Sequence, residues 1–142
     1  MKSNRDILSS VLKTTQMGQT GIRAVLGYAS NLDLKQALQD QLQEYDMIER
    51  EALHLASRRG WEFEELNPIA KTMSKMYTHL NLKFGNADSK IAAMMIQGNT
   101  RGMIKGLKNL HHGKSVDCTL RSLSQKLLDC EAANVKQMQG FV

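Results

Sequence analysis

The sequence contains few of the features that interrupt, anchor or export a chain. One proline in 142 residues argues against disordered, collagen-like or proline-rich segments. No apolar run approaches the ~18 residues of a membrane-spanning helix, and the first ten residues lack the apolar core and cleavage site of a secretory signal. The 42% apolar and 23% charged residues are those of an ordinary globular protein. We therefore expect one cytoplasmic domain spanning residues 1–142, without membrane association.

Two cysteines, Cys118 and Cys130, are too few and too far apart for a disulfide framework. On one helix they lie ~18 Å apart at 1.5 Å per residue, whereas a disulfide needs Cα atoms within ~7 Å. Neither a CxxC pair nor a Cys/His set with zinc spacing is present in the sequence. The sequence predicts reduced thiols and no structural zinc.

Apolar residues recur at helical spacing along most of the chain, and alternating strand-like runs are absent from the sequence. The pattern predicts an all-α, four-helix bundle whose long helices span residues 4–29, 32–59, 88–112 and 115–138. Ser3 or Asn4 caps the first helix, and Gly60 ends the second. Short links join the first helix to the second and the third to the fourth, so we expect two antiparallel hairpins.

The connection between the second and third helices is much longer and contains a predicted helix at residues 68–83. Its length permits a crossover from one end of the bundle to the other. A five-helix bundle in which the short helix caps one end is the alternative.

The helix order, the crossover and the stretch SKIAAMMIQGNTRGMIKGLKNLH (residues 89–111) resemble the ferritin-like superfamily. In particular, the chain looks like small bacterial bundles of this superfamily, including spore-coat-type proteins. The resemblance implies a four-helix bundle with one long crossover, and a metal site built from a Glu on each of two helices and Glu-x-x-His on the other two. This sequence contains one such match, Glu51-Ala-Leu-His54, and the first and third predicted helices contain no Glu.

The position of Glu51 and His54 on the helical wheel also matters, because metal ligands of a bundle must project inward. Both residues fall away from the apolar stripe of the second helix, His54 on the opposite side. We interpret them as a solvated pair and predict no metal cofactor. Iron or manganese bound through Glu51 and His54 is the alternative.

Gly98, Gly102 and Gly106 recur every four residues and form a glycine ridge on the third helix. Each mid-helix glycine costs ~1 kcal/mol relative to alanine, so the ridge needs a compensating contact. Three contacts are possible: close packing against another helix of the bundle, a subunit interface, or a ligand lying on the bare backbone.

Charge is divided unevenly along the chain, whose net charge is +5. Residues 31–65 carry a net charge of −5, and residues 68–114 carry +7. This division predicts intramolecular pairing of unlike faces or a homo-oligomer. Nucleic-acid binding by the basic third quarter is the alternative, but the sequence shows neither a helix-turn-helix signature nor the aromatic residues of a stacking platform.

Four polar residues interrupt the four apolar stripes at a similar height: Gln19, Gln41, Asn99 and Glu131. We predict a buried polar layer, a candidate binding site in which amides hydrogen-bond to Glu131 or Glu131 is protonated. The alternative is that some of these side chains lie at helix boundaries in water.

No catalytic motif emerges from the sequence. We expect a non-catalytic structural or interaction protein that self-associates through its helix faces. A metal-binding ferritin-like oxidoreductase is the first alternative function, and weak nucleic-acid association is the second.

Overall fold

Four long α-helices make up the computed structural model, which describes residues 2–63, 82, 85–112 and 116–142. They are α1 (Asn4–Leu26), α2 (Leu32–Arg58), α3 (Ala87–His112) and α4 (Cys118–Met138), followed by a short 3-10 helix at Gln139–Phe141. The described residues include no β-strand. The predicted all-α, four-helix bundle is confirmed. The crossover helix predicted at 68–83 lies outside the described residues, apart from position 82.

The helix ends follow from local capping chemistry. Ser3 and Asp6 form a capping box at the start of α1, and the Asn31 side chain accepts hydrogen bonds from two backbone N–H groups at the start of α2. Beyond the end of α2, Gly60 adopts a positive φ of 68°, which costs glycine little. Two predicted boundaries need correction: α1 ends at Leu26, three residues early, and α4 begins at Cys118, where Asp117 provides the cap.

Hydrogen bonds between segments show which helix ends lie together. At one end of the bundle, Asp117 lies beside the start of α1, because its backbone N–H donates to Asn4 at 3.3 Å. Asp117 also pairs with Arg59 at the end of α2, where the nitrogen and oxygen are 2.5 Å apart. At the other end, the Asp88 carboxylate accepts hydrogen bonds from Ser30 and Asn31 in the α1–α2 link. Therefore α1 and α4 run in one direction, and α2 and α3 run in the other.

The two sequential helix pairs form the closest packing. α1 packs mainly against α2, and α3 packs mainly against α4, as the short links predict. One hydrophobic cluster draws side chains from all four helices. Its fully buried large side chains include Leu8, Ile22, Leu34, Leu38, Ile91, Leu120 and Met138. Each such side chain contributes about 1.5–3 kcal/mol by leaving water, so this cluster holds the two hairpins together.

No helix in the described segments combines the length and the apolar character that a bilayer span requires.

Candidate functional site

The four residues of the predicted polar layer all have buried side chains, one on each helix. Gln19 lies on α1, Gln41 on α2, Asn99 on α3 and Glu131 on α4, and none exposes more than 3% of its surface. Polar groups buried to this extent must find hydrogen-bond partners or bear a desolvation cost. Their partners therefore determine what the layer can do.

The two glutamines have partners other than Glu131. Gln19 donates to Glu49 at 3.1 Å and accepts from Arg23 at 3.3 Å. Gln41 donates to Gln137 at 2.9 Å, while its buried Oε1 has no partner among the described residues. Both side chains therefore hydrogen-bond to residues at the edges of the helix pairs. These contacts replace the hydrogen bonds to Glu131 that the sequence predicted for the two amides.

Asn99 is the centre of a buried hydrogen-bonded group. Its Oδ1 accepts from the Tyr45 hydroxyl at 2.6 Å and from Asn134 at 3.3 Å, while its Nδ2 donates to the carbonyl of Met95 at 2.7 Å. Burial raises the pKa of Tyr45 well above its ordinary value, so the hydroxyl stays protonated and remains a donor. This group joins α2, α3 and α4 at one point.

Tyr45 and Asn134 were not identified as site residues in the sequence analysis. A signal for Asn134 was present, because it lies three residues after Glu131 and such residues share a helix face. Tyr45 was indistinguishable from an apolar core residue, since its position matches the stripe of α2.

Glu131 is the unusual member of the layer. Its side chain is only 1% exposed, and neither carboxyl oxygen has a hydrogen-bond partner within the part of the chain that the structure describes. Burial raises the pKa of this carboxyl from 4.5 to about 8, because the charged form loses its hydration. At neutral pH the carboxyl is therefore mostly protonated, with one donor and one acceptor available.

A cavity of about 190 Å³ lies beside Glu131. Residues of α1 and α3 form most of its wall, and Tyr45 of α2 and Glu131 of α4 also line it. Its surface is mainly apolar. The lining residues are Thr14, Met17, Gly18, Tyr45, Met94, Met95, Gly98, Asn99, Arg101, Gly102, Lys105 and Glu131.

The glycine ridge borders this cavity and contacts α4. A Cβ atom at Gly102 would overlap the Glu131 carboxyl group, and one at Gly106 would make ordinary contact with Leu128, 3.7 Å away. By contrast, no described atom lies within 4 Å of a Cβ built at Gly98. Close packing within the bundle therefore accounts for Gly102 but leaves Gly98 unexplained. On α1, a Cβ at Gly18 would lie 2.6 Å from the Tyr45 ring.

The residues implied by the ferritin-like metal site do not come together as a ligand set. Glu51 and His54 are both exposed, and Glu51 accepts a hydrogen bond from Lys126 at 2.7 Å. Over the described ranges, no three His, Cys, Asp or Glu side chains are grouped as metal ligands would be. Glu131 is the one carboxylate among the described residues that line the cavity, so the site does not fit a carboxylate-and-histidine metal centre.

Comparisons with known proteins give no relative to guide the assignment. No protein-family model matches the chain, and the searches of curated proteins and of solved structures found no match either. The residues around Glu131 are therefore the basis for assigning a function.

Proposed function

We propose that the chain is a non-catalytic binding protein that accepts a small molecule in the cavity beside Glu131. The observation that carries this proposal is the Glu131 carboxyl group, which lines a mainly apolar cavity and has neither oxygen paired among the described residues. Small-molecule sites combine apolar walls with a few placed polar groups. A ligand that hydrogen-bonds to Glu131 would offset part of the cost of burying it.

The helix directions support a ferritin-like bundle, which is part of the same proposal. α2 and α3 run in the same direction, so the chain between them joins opposite ends of the bundle. One long connection of this kind is the ferritin-like arrangement. The cavity supplies a single described carboxylate, which favours a binding role over a metal-dependent oxidoreductase. The two unpaired cysteines are consistent with the cytoplasmic location we expect.

The test is whether a small apolar probe enters the cavity. Toluene is titrated into protein whose methionine methyl groups are labelled with ¹³C, and the resonances are assigned with Met→Leu variants. We expect shifts at Met17, Met94 and Met95, which line the cavity. Met47, which is 54% exposed on α2, is the internal control. An equal shift at Met47, or no shift at the three lining methionines with either toluene or benzamide, overturns the proposal.

A second proposal is self-association through the outer part of α3. Ile104 and Leu107, three residues apart on this helix, are 50% and 41% exposed. Apolar residues exposed together favour burial against another surface. We expect light scattering at tens of micromolar to give a dimer or larger assembly, and Ile104→Lys to shift it toward monomer. Leu53→Lys, at a 46% exposed position on α2, is the matched control. A monomer mass for the native chain contradicts the proposal.

A further inference from the structure

The Glu131 carboxyl has a hydrogen-bonding pattern that a specific class of ligand can match. A protonated carboxyl group presents an O–H donor and a C=O acceptor side by side. Neither oxygen is used by the described residues, and the surrounding wall is mainly apolar. Both oxygens are closed off from solvent where the carboxyl lies against Gly102, so the side chain must turn toward the cavity to meet a ligand. In that position a ligand with an adjacent donor and acceptor can make two hydrogen bonds to it.

We propose that the cavity binds a neutral small molecule that has a primary amide, or an equivalent adjacent donor and acceptor, paired with both oxygens of Glu131. This inference rests on the proposed function, because it names the ligand class for the same cavity. The amide N–H donates to the carboxyl C=O, and the amide C=O accepts from the carboxyl O–H.

The charges around Glu131 favour a neutral ligand over a cationic one. The residues that α1 contributes to the cavity, Thr14, Met17 and Gly18, carry no charge. From α3, Arg101 and Lys105 line the cavity, and their positive charges oppose the entry of an amine.

Two titratable groups near Glu131 on the other two helices, Tyr45 and Cys130, stay neutral near pH 7, whereas Glu44 of α2 accepts a hydrogen bond from Cys130. Burial raises the pKa of Tyr45 on α2 well above 10, and burial and Glu44 together raise the pKa of Cys130 on α4 to about 12. Burial is the cause of the raised pKa of Glu131, since its charged form loses hydration. A neutral partner therefore meets the carboxyl in its prevailing form.

The size and the apolar surface of the cavity determine which group can be attached to the amide of the ligand. An engineered protein cavity of about 150 Å³ lined by apolar side chains binds benzene. The volume of about 190 Å³ is enough for one ring with an amide attached. Met17, Met94 and Met95 provide flexible apolar contacts for the ring, and methionine sulfur interacts favourably with aromatic groups.

Three probes of similar size separate the possible ligand classes: benzamide, benzylamine and toluene. Their affinities for the native chain are measured at pH 6.5 and pH 9.5 by titration of the methionine methyl resonances. At pH 6.5 we expect benzamide to bind about tenfold or more tightly than toluene. At pH 9.5 this advantage falls, because Glu131 has lost the proton that it donates. Burial and the neighbouring Lys13 and Lys2 lower the pKa of Lys105, which also lines the cavity, so its effect on binding must be separated from that of Glu131.

Two variants separate the effect of Glu131 from that of Lys105. Glu131→Gln keeps an adjacent donor and acceptor but does not titrate, so it should retain benzamide binding at both pH values. Glu131→Leu has neither group, so benzamide should bind it no better than toluene does. Loss of benzamide binding in Glu131→Gln to the same extent as in Glu131→Leu overturns the inference.

The native chain alone also provides decisive outcomes, even where a variant fails to fold. Tighter binding of benzylamine than of benzamide at pH 6.5 overturns the inference in favour of a cation site. Equal binding of benzamide and toluene overturns the amide inference but leaves the proposed function standing. Failure of all three probes overturns both.

Discussion

Gly102 of α3 and Glu131 of α4 lie so close together that a Cβ atom at position 102 would overlap the carboxyl group. The absence of a side chain at Gly102 thus lets the two helices approach where the acid is buried. Gly98, one turn earlier on the same helix, has no described atom near its Cβ direction. The two glycines therefore form a natural comparison.

Alanine at these two positions should have different effects on stability. At Gly98 the substitution should raise the free energy of unfolding by about 0.5–1 kcal/mol, since alanine is the better helix former. At Gly102 the same gain is opposed by overpacking against Glu131, so Gly102→Ala should be less stable than Gly98→Ala by about 1–2 kcal/mol. Urea denaturation of both variants measures the difference. Equal stabilisation by the two substitutions would show that the Glu131 carboxyl moves aside freely.

Burial of Glu131 should make stability depend on pH in a definite direction. Its pKa is about 8 in the folded chain, against an ordinary value of 4.5. Below pH 4.5 Glu131 is protonated in both the folded and the unfolded chain, and its full contribution to the free energy of unfolding is present. This contribution is lost as the pH rises to about 8. Between these values the unfolded chain has released the proton that the folded chain retains. The free energy of unfolding should therefore fall by about 1.4 kcal/mol per pH unit from this group.

Glu131→Gln provides the control for this pH dependence, because glutamine has a similar shape and does not titrate. The difference in unfolding free energy between the native chain and the variant, measured by urea denaturation from pH 5 to pH 9, isolates the contribution of Glu131. We expect the native chain to lose stability relative to Glu131→Gln as the pH rises. A difference that stays constant across this range would mean that the carboxyl is already ionised.

The buried hydrogen bond from Tyr45 to Asn99 should be measurable by removing one hydroxyl. Tyr45→Phe keeps the ring but leaves Asn99 Oδ1 with the longer contact to Asn134. We expect a loss of about 1–2 kcal/mol in thermal or urea denaturation. Tyr28→Phe is the matched control, since Tyr28 is 45% exposed and its change should stay within about 0.5 kcal/mol. Equal effects of the two substitutions would argue against a stabilising role for the buried group.

The two thiols should react at different rates. Cys118 is exposed, whereas Cys130 is partly buried and donates a hydrogen bond to Glu44 at 3.2 Å. Burial and the neighbouring Glu44 raise the pKa of Cys130 to about 12, and the thiolate is the reactive form. With a colorimetric thiol reagent at pH 8, we expect fast modification of Cys118 and slow modification of Cys130. Cys118→Ser and Cys130→Ser assign the two phases, and equal fast rates contradict the expectation.

Helix ends were predictable where one residue dominates the local chemistry. The residue that ends α2, Gly60, followed from the sequence, whereas the cap of α1 was left between Ser3 and Asn4 and is Ser3. The start of α4 was misplaced at Ser115, since serine and aspartate are comparable N-caps and Asp117 follows two residues later. Local propensity cannot choose between two good caps so close together.

The partners of the buried polar residues were less predictable than their burial. Helical spacing placed Gln19 and Gln41 on inward faces, but long flexible amides reach across to edge residues such as Glu49 and Gln137. Which residue they reach depends on helix crossing angles and rotamers, which periodicity does not determine. The cavity was unpredictable for the same reason, because it depends on how closely α1 approaches α3.

Hydrogen bonds join α1 and its flanking link to α3 near both ends of the α1–α3 contact, whereas a cavity lies at its middle. At one end Asp88 accepts hydrogen bonds from Ser30, and toward the other Asn109 donates to Ser10 at 2.9 Å. The cavity lies between these two points, where Gly18 and Gly98 provide no bulk. Because Met17, Gly98 and Lys105 on its wall are exposed, the cavity opens to solvent between the two hydrogen-bonded ends. A molecule of the cavity's size can therefore enter and leave while both ends of the contact stay closed.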